Sequence, residues 1–154
     1  MVVTRLTVEL LRPVPIAPLR IVTRLGRPGK KVQVVEASLV VVESGTEVAR
    51  ATGLRMRRGR VLIPEGAAAM GSDPRPASGA ESRPPWAQHI QYEGYRFINP
   101  DLTIYLHRHP IGEWVALEAT TAPEALGVGL AESRLYDERG PIGRSLQSLL
   151  IERD

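Results

Sequence analysis

An internal repeat is the feature of this sequence that most constrains its fold. Residues 6–12, Leu-Thr-Val-Glu-Leu-Leu-Arg, match residues 102–108, Leu-Thr-Ile-Tyr-Leu-His-Arg, at a shift of 96 positions (102 − 6). The shift falls to 95 and then to 94 along the pairs Ser38 and Ser133, Gly45 and Gly140, and residues 48–51 and 142–145. A self-match at a nearly constant shift indicates two similar structural units that pack together.

Alternating residues predict that both units consist of β-strands. Leu6, Val8 and Leu10 alternate with polar residues, which is typical of a half-buried strand. Similar patterns predict four strands per unit, and the short turns between them favour antiparallel pairing. The strands are expected at residues 4–11, 19–25, 32–42, 47–57, 102–107, 113–121, 128–136 and 142–152, with a loop around Pro123.

The segment between the two units differs in composition. Residues 61–97 are rich in Gly, Ala, Pro and Ser and show little periodicity, which is typical of a linker. We therefore predict a first repeat at residues 1–60, a linker and lead-in at residues 61–97, and a second repeat at residues 98–154. Helices at residues 65–70 or 85–90 would be short.

Composition excludes several classes of protein. The chain has no Cys, so it has neither disulfides nor thiolate metal sites. No apolar run approaches the roughly 20 residues that a membrane helix needs, and no signal peptide pattern is present, so we expect a cytoplasmic protein without a membrane partner. The net charge of +3 permits an anionic ligand. A basic patch of arginines at residues 55–60 has no interleaved aromatic residues, so binding of nucleic acid is not expected.

Several motifs of the two units occur together in a known family. In the first unit they are residues 6–15 and 27–39, and in the second they are His107-Arg108, Glu113-Trp114, the Asp137-x-x-Gly140 pattern, and Gln147 in the last strand. With these motifs the two units resemble the two halves of the TesB-like acyl-CoA thioesterases. This resemblance implies a double hotdog, in which each unit is a curved antiparallel sheet around a long helix. Neither helix has a counterpart in this sequence, so we expect a β-dominated α+β fold of two tandem hotdog-like units with the central helices missing or reduced.

The resemblance also implies a site and a reaction. The family hydrolyses acyl-CoA thioesters with an Asp on the second helix, a hydroxyl residue and a Gln. The Gln corresponds to Gln147 and the hydroxyl position to Asn99, while the Asp is missing with its helix. Asp101 or Glu113 could replace that Asp as the base. Asn99 precedes Pro100 and could equally open a turn.

Three further sets of residues have both a functional and a structural interpretation. Arg27, Lys30 and Lys31 could bind the phosphates of CoA or form a solvated turn. His107 and His109 have the spacing of two metal ligands on one face of a strand, but a third ligand is missing, so neither a metal nor another cofactor is expected. Arg108 between them is expected to be a surface or interface charge.

Loss of the helices would leave one sheet face uncovered. The other unit could cover it in a double-sheet sandwich, as could residues 86–97 or a second copy of the chain. We therefore expect a homo-oligomer. The expected function is hydrolysis of acyl-CoA to free acid and CoA, and the alternative is a non-catalytic acyl-binding or structural β protein.

Overall fold

The computed structural model describes residues 1–59 and 95–153, and these contain strands and turns but no helix. No helix of the described part is therefore long and apolar enough to cross a membrane. The strands are β1 (Val2–Leu10), β2 (Leu19–Arg27), β3 (Val32–Val41), β4 (Glu47–Met56), β5 (Tyr95–Ile98), β6 (Asp101–Leu106), β7 (Ala116–Pro123), β8 (Val128–Asp137) and β9 (Gly140–Arg153).

All nine strands belong to one antiparallel sheet. Its order is β2-β3-β4-β1-β6-β9-β8-β7, and β5 pairs with β9. The β-dominated antiparallel architecture predicted from the sequence is confirmed. Strand β5 was not predicted, and β7 begins at Ala116 and extends to Pro123, where a loop was expected. Strand β7 is an outer strand, and proline is tolerated there because the position of its missing N–H can face solvent instead of a neighbouring strand.

A local two-fold symmetry relates the two halves of the sheet. Strands β1 and β6 pair at its centre, with Thr7 opposite Thr103. These residues are 96 positions apart, and their hydroxyl oxygens are 3.3 Å apart in a hydrogen bond. On either side of this pair β4 corresponds to β9, β3 to β8 and β2 to β7. The internal repeat of the sequence is thus a repeat of structure.

The change in the repeat shift lies in one turn, so Ser133 of β8 corresponds in the structure to Ala37 and not to Ser38, with which the sequence matched it. Val40 pairs with Glu47, seven residues later, whereas Tyr136 pairs with Pro141, five residues later. A β-bulge skips Val48 in β4 and Ile142 in β9, and these equivalent side chains are only 2% and 1% exposed.

The two faces of the sheet differ in character. Because opposite residues in paired strands share a face, the register assigns each strand residue to one side. The apolar face carries Leu6, Val8, Ile21, Ala37, Leu39, Ala49, Ala51, Ile104, Ala131, Ser133, Ser145, Gln147 and Leu149. The charged face carries Arg5, Glu9, Arg24, Glu36, Arg50, Glu118, Glu132, Arg134 and Arg144.

The two units do not form the sandwich that the sequence suggested. They join edge to edge through β1 and β6, so neither unit covers the apolar face of the other. Several apolar side chains of this face remain accessible, such as Ile21 at 69% and Leu117 at 62% exposure. Tyr95, Arg96 and Phe97 from the predicted lead-in belong to the sheet as part of β5, and residues 60–94, including both predicted helical pieces, lie outside the described residues.

Candidate functional site

A bulge where β5 and β6 meet β9 brings the predicted catalytic residues into one region. Ile98 pairs with Leu150 and Thr103 pairs with Leu146, so the four residues 99–102 at the β5–β6 junction lie opposite three residues of β9. Asn99 and Asp101 belong to the four, and Gln147 belongs to the three. The extra residue disrupts the backbone ladder here and leaves donors that need other acceptors.

Asp101 supplies one of these acceptors. Its Oδ1 atom accepts a hydrogen bond of 2.8 Å from the backbone N–H of Ser148. Nearby, the carbonyl of Pro100 accepts a 2.7 Å hydrogen bond from the N–H of Leu10, which ties the bulge to β1. Asn99 is exposed beside this turn. The contacts within the described residues therefore give Asp101 the role of closing the bulge beside Gln147.

Gln147 lies in the middle of β9 on the apolar face and is half-buried. It is opposite Ala131 of β8, and Ser145, two residues before it, is opposite Ser133. Both serines are buried, at 6% and 8% exposure. Gln147 is thus an amide group set among apolar and small residues, where hydrogen bonds are stronger than in water.

Asp101 and Gln147 belong to opposite faces of the sheet. Asp101 is opposite Glu9 on the charged face, whereas Gln147 shares its face with Val8 and Ala131. Glu113, the other predicted replacement for the family's Asp, precedes β7, and its N–H donates to the carboxylate of Glu138 near the β8–β9 turn. The described contacts therefore bring neither acid to the Gln147 side chain.

The apolar face carries one acidic residue among the described strands. Asp137 at the end of β8 is completely buried. Its Oδ2 accepts from Arg108 at 2.5 Å and from the N–H of Ile111 at 2.8 Å, and its Oδ1 accepts from Arg108 at 2.7 Å and from the N–H of Arg139 at 2.8 Å. The hydrogen bonds of Arg108 hold the pKa of Asp137 far below its ordinary value, against the effect of burial. This carboxylate is fully occupied in holding the loop after β6.

The prediction that Arg108 is a surface or interface charge is wrong. Its guanidinium group binds Asp137 through two nitrogens and donates to the carbonyl of Gly140 at 3.0 Å. The bond to Asp137 also raises the pKa of Arg108. The Asp-x-x-Gly pattern of the sequence was a signal for this ion pair, because both of its fixed residues contact Arg108.

The two histidines do not have strand geometry. Strand β6 ends at Leu106, so His107 and His109 lie in the bend that follows, and both are exposed. No cluster of three or more His, Cys, Asp or Glu residues is found within the described parts of the chain. The spacing of the two histidines is therefore not the spacing of two ligands on one strand face.

The residues expected to bind CoA phosphates lie far from Gln147. Arg27 ends β2, and Lys30 and Lys31 form the following turn, where all three side chains are exposed. Five strand spacings separate β2 from β9, which corresponds to roughly 24 Å. The expectation that these residues bind CoA stays a prediction.

The charged face of the first unit contains a cavity of about 550 Å³. Glu47 accepts from the hydroxyl of Ser38 at 2.5 Å and from Arg50 at 2.7 Å and 3.2 Å. The hydrogen bond from Arg50 lowers the pKa of Glu47 most, and the one from Ser38 lowers it further. Across the cavity Arg24 forms an ion pair with Glu36. The charged groups of this cavity are mutually paired, so no single charge is left to attract a ligand.

A cavity on the apolar face has a different lining. Its volume is about 200 Å³, and apolar side chains from β1, β2, β3 and β4 surround it. The apolar residues are Val8, Ile21, Ala37, Leu39, Ala49 and Ala51, and Ser38 and Arg50 also line the cavity. All six belong to the face that carries Gln147.

Comparison with known proteins identifies a family. Residues 14–151 match the family model described as the acyl-CoA thioesterase C-terminal domain. No curated protein sequence matches the chain.

Solved structures share the fold at low sequence identity. An acyl-CoA thioesterase II, TesB2, from Mycobacterium marinum superposes with a TM-score of 0.73 at 12% identity, covering 99% of this chain and 81% of that one. A candidate thioesterase II from Thermobifida fusca YX superposes with a TM-score of 0.71 at 16% identity, covering 98% of this chain and 79% of that one. A conserved hot dog fold protein from Alicyclobacillus acidocaldarius superposes with a TM-score of 0.67 at 15% identity, covering 99% of this chain and 79% of that one. The predicted hotdog architecture is confirmed.

Proposed function

Because this chain belongs to the acyl-CoA thioesterase family, with a family match across residues 14–151, we propose that it acts on acyl-CoA thioesters and hydrolyses them to a free acid and CoA. Thioesterase-like function follows from family membership, whereas the substrate and the reaction are the proposal. The observation that carries it is the position of Gln147, a half-buried amide on the apolar face of the sheet.

This position suits a thioester, which joins an apolar acyl chain to a polar carbonyl group. The amide N–H of Gln147 can donate to the carbonyl oxygen, where negative charge develops as water attacks. Apolar neighbours such as Ala131 and the buried Leu149 lower the polarity around that bond, which strengthens it. Asp101 would act as a positioning residue, because its bond to the Ser148 N–H fixes the backbone beside Gln147. Asn99, in the same bulge, would be the second donor that the sequence predicted.

One observation favours a second candidate, the non-catalytic binding of acyl groups. Hydrolysis needs a group that accepts a proton from the attacking water. Among the described strand residues the apolar face offers Asp137, whose oxygens are already bound, and no histidine. A protein that binds acyl thioesters without cleaving them needs Gln147 and the apolar face, but no base.

Release of free CoA from a panel of acyl-CoAs distinguishes the two candidates. Gln147→Ala is expected to lower kcat about 10²–10³-fold, the usual cost of removing one donor to an oxyanion. Gln33→Ala is the matched control, since Gln33 is opposite Arg55 at the far end of the same face and should leave kcat unchanged.

Three outcomes are informative. Strong loss of activity in Gln147→Ala alone supports hydrolysis at this site. No CoA release from folded wild-type protein that still binds acyl-CoA supports non-catalytic binding. Equal losses in both variants would contradict the assignment of Gln147.

A further inference from the structure

We propose that the apolar cavity of the first unit holds the acyl chain of the ligand and sets the preferred chain length. This inference rests on the proposed function, because it takes Gln147 as the residue that meets the thioester. It adds a direction to the binding: the acyl chain runs from β9 across the centre of the sheet onto the first unit.

A row of side chains on one face leads from Gln147 to the cavity. Leu102 and Gln147 each lie one residue beyond the last pair of β6 and β9, Thr103 with Leu146, and both belong to the apolar face. Next come Val8, opposite Leu102, and Ala51, opposite Val8. Ala37 is opposite Ala51, and Thr23 on the outer strand β2 ends the row opposite Ala37. Side chains opposite one another in paired strands share a face, so the row forms a continuous apolar track.

The track is longer in this direction than in the other. The row ends in a threonine on both outer strands, but Ala131 is the one apolar residue before Thr121 on β7, whereas four apolar residues precede Thr23 on β2. A hydrocarbon chain therefore buries more apolar surface by lying over Leu102 and Val8 than by lying over Ala131. The CoA part of the ligand then leaves over β8 and β7.

The two units differ at equivalent positions in a way that creates this track. The local two-fold relates Ala37 to Ser133 and Ala51 to Ser145, since Ala37 pairs with Ala51 as Ser133 pairs with Ser145. The second unit therefore has hydroxyls where the first has methyl groups. Polar groups near Gln147 suit the thioester, and the small alanines leave the space that forms the cavity.

The size of the cavity agrees with the end of an acyl chain. Its volume of about 200 Å³ lies below the roughly 300–1,000 Å³ of a site for a whole drug-sized ligand. An apolar cavity of about 150 Å³ binds benzene, so this one accommodates a little more than six carbon atoms. The rest of the chain would lie along the track.

The length of the track predicts the preferred substrate. From Gln147 to Ala51 there are three strand spacings and to Ala37 four, which correspond to about 14 Å and 19 Å. An extended chain advances about 3.6 Å for every three bonds, as a polypeptide does. Acyl chains of about 12–16 carbons would therefore reach the cavity.

The test combines cavity-filling and cavity-opening variants. Ala51→Leu fills the floor of the cavity and is expected to lower kcat/KM for the longest acyl-CoAs at least about tenfold, while short acyl-CoAs change little. Ile21→Ala opens the rim, and because this side chain is 69% exposed its removal is not expected to prevent folding. It should shift the preference towards longer chains. Ala122→Leu is the matched control: the same change at an exposed position of β7 on the charged face, which neither the acyl chain nor the CoA contacts in this proposal.

A second readout separates this proposal from the proposed function. Displacement of a bound fluorescent fatty acid by saturated fatty acids of increasing length reports the cavity without any hydrolysis. If wild-type protein releases no CoA but binds long fatty acids, and Ala51→Leu weakens that binding, the cavity assignment is supported and hydrolysis fails. If CoA is released equally from all chain lengths, and neither Ala51→Leu nor Ile21→Ala changes length preference in either assay, the cavity assignment is overturned and hydrolysis stands.

Discussion

Replacement of Asp137 by Asn tests whether one buried ion pair holds the end of the second unit. Both oxygens of Asp137 receive two donors each, from the Arg108 guanidinium and from the N–H groups of Ile111 and Arg139. Asn keeps the shape of the side chain, but its NH₂ group must face two donors. It also leaves Arg108 without a partner charge.

The expected cost follows from burial. Hydrogen bonds to a charged group contribute about 1.5–3 kcal/mol each, but desolvation of the buried carboxylate offsets much of their sum. Removing one partner of a buried pair costs about 3–5 kcal/mol, because the remaining charge loses its compensation. Asp137 is fully buried, whereas the Arg108 side chain is 29% exposed and can regain some hydration, so about 3 kcal/mol is expected.

Urea unfolding at neutral pH measures this loss against a matched control. Glu132→Gln removes the ion pair of Glu132 with Arg144, whose side chains are 45% and 51% exposed. Exposed pairs contribute about 0–1 kcal/mol, so this variant should change the free energy of unfolding little. If Asp137→Asn costs no more than Glu132→Gln, the ion pair does not stabilise the fold in the way that its geometry indicates.

The same variant predicts a change in pH dependence. The folded-state pKa of Asp137 is depressed, so its contribution is present above the unfolded-state pKa of about 3.9 and is lost as the pH falls further towards the folded-state value. The wild-type protein should therefore lose stability below about pH 4 more steeply than Asp137→Asn. Parallel curves for the two proteins in acid would contradict a depressed pKa.

Three further predictions concern other parts of the sheet. Gly143→Ala places a Cβ against the carbonyl oxygen of Tyr105 and should reduce the free energy of unfolding by about 1–3 kcal/mol. In the control Gly53→Ala the nearest atom is 3.8 Å from the added Cβ, so this variant should be neutral or stabilising by up to about 1 kcal/mol. Urea unfolding compares the two, and equal effects would contradict the close approach of β6 and β9. Joint replacement of Lys30 and Lys31 by Ala should leave KM for acyl-CoA unchanged if the CoA leaves over β8 and β7; a raised KM would instead support the CoA site expected from the sequence. The open apolar face predicts a homo-oligomer, which light scattering over a range of concentrations checks, and a monomer at every concentration would refute it.

Much of the fold could be predicted because it depends on local patterns. Alternation located eight strands, and the match of residues 6–12 with residues 102–108 identified the two equivalent strands β1 and β6, although not that they pair with each other. Strand β5 escaped prediction because its four residues are too few to show a pattern. The sandwich was one of three alternatives for covering an apolar face, but a strand edge can be satisfied by another strand, and β1 and β6 pair in that way.

The candidate site was less predictable because strand faces depend on bulges. Sequence places Asn99, Asp101 and Gln147 near one another through the family resemblance, and the bulge does gather them. The sequence alone does not show that Asp101 lies on the charged face while Gln147 lies on the apolar face. The role of Arg108 was also hidden, since its partner Asp137 is 29 residues away in sequence.

Duplication explains why a sheet with near-identical halves can have one polar site. The register of β1 to β4 repeats in β6 to β9, so the backbone offers two equivalent places for any side chain on the apolar face. Gln147 occupies one of them, and the equivalent position in the first unit is Gly53, because Leu6 pairs with Gly53 and Leu102 lies beside Gln147. A glycine leaves an apolar surface free of a competing amide. The symmetry of the backbone therefore sets up two equivalent surfaces, and side-chain differences at equivalent positions suit one of them to a carbonyl group and the other to a hydrocarbon chain.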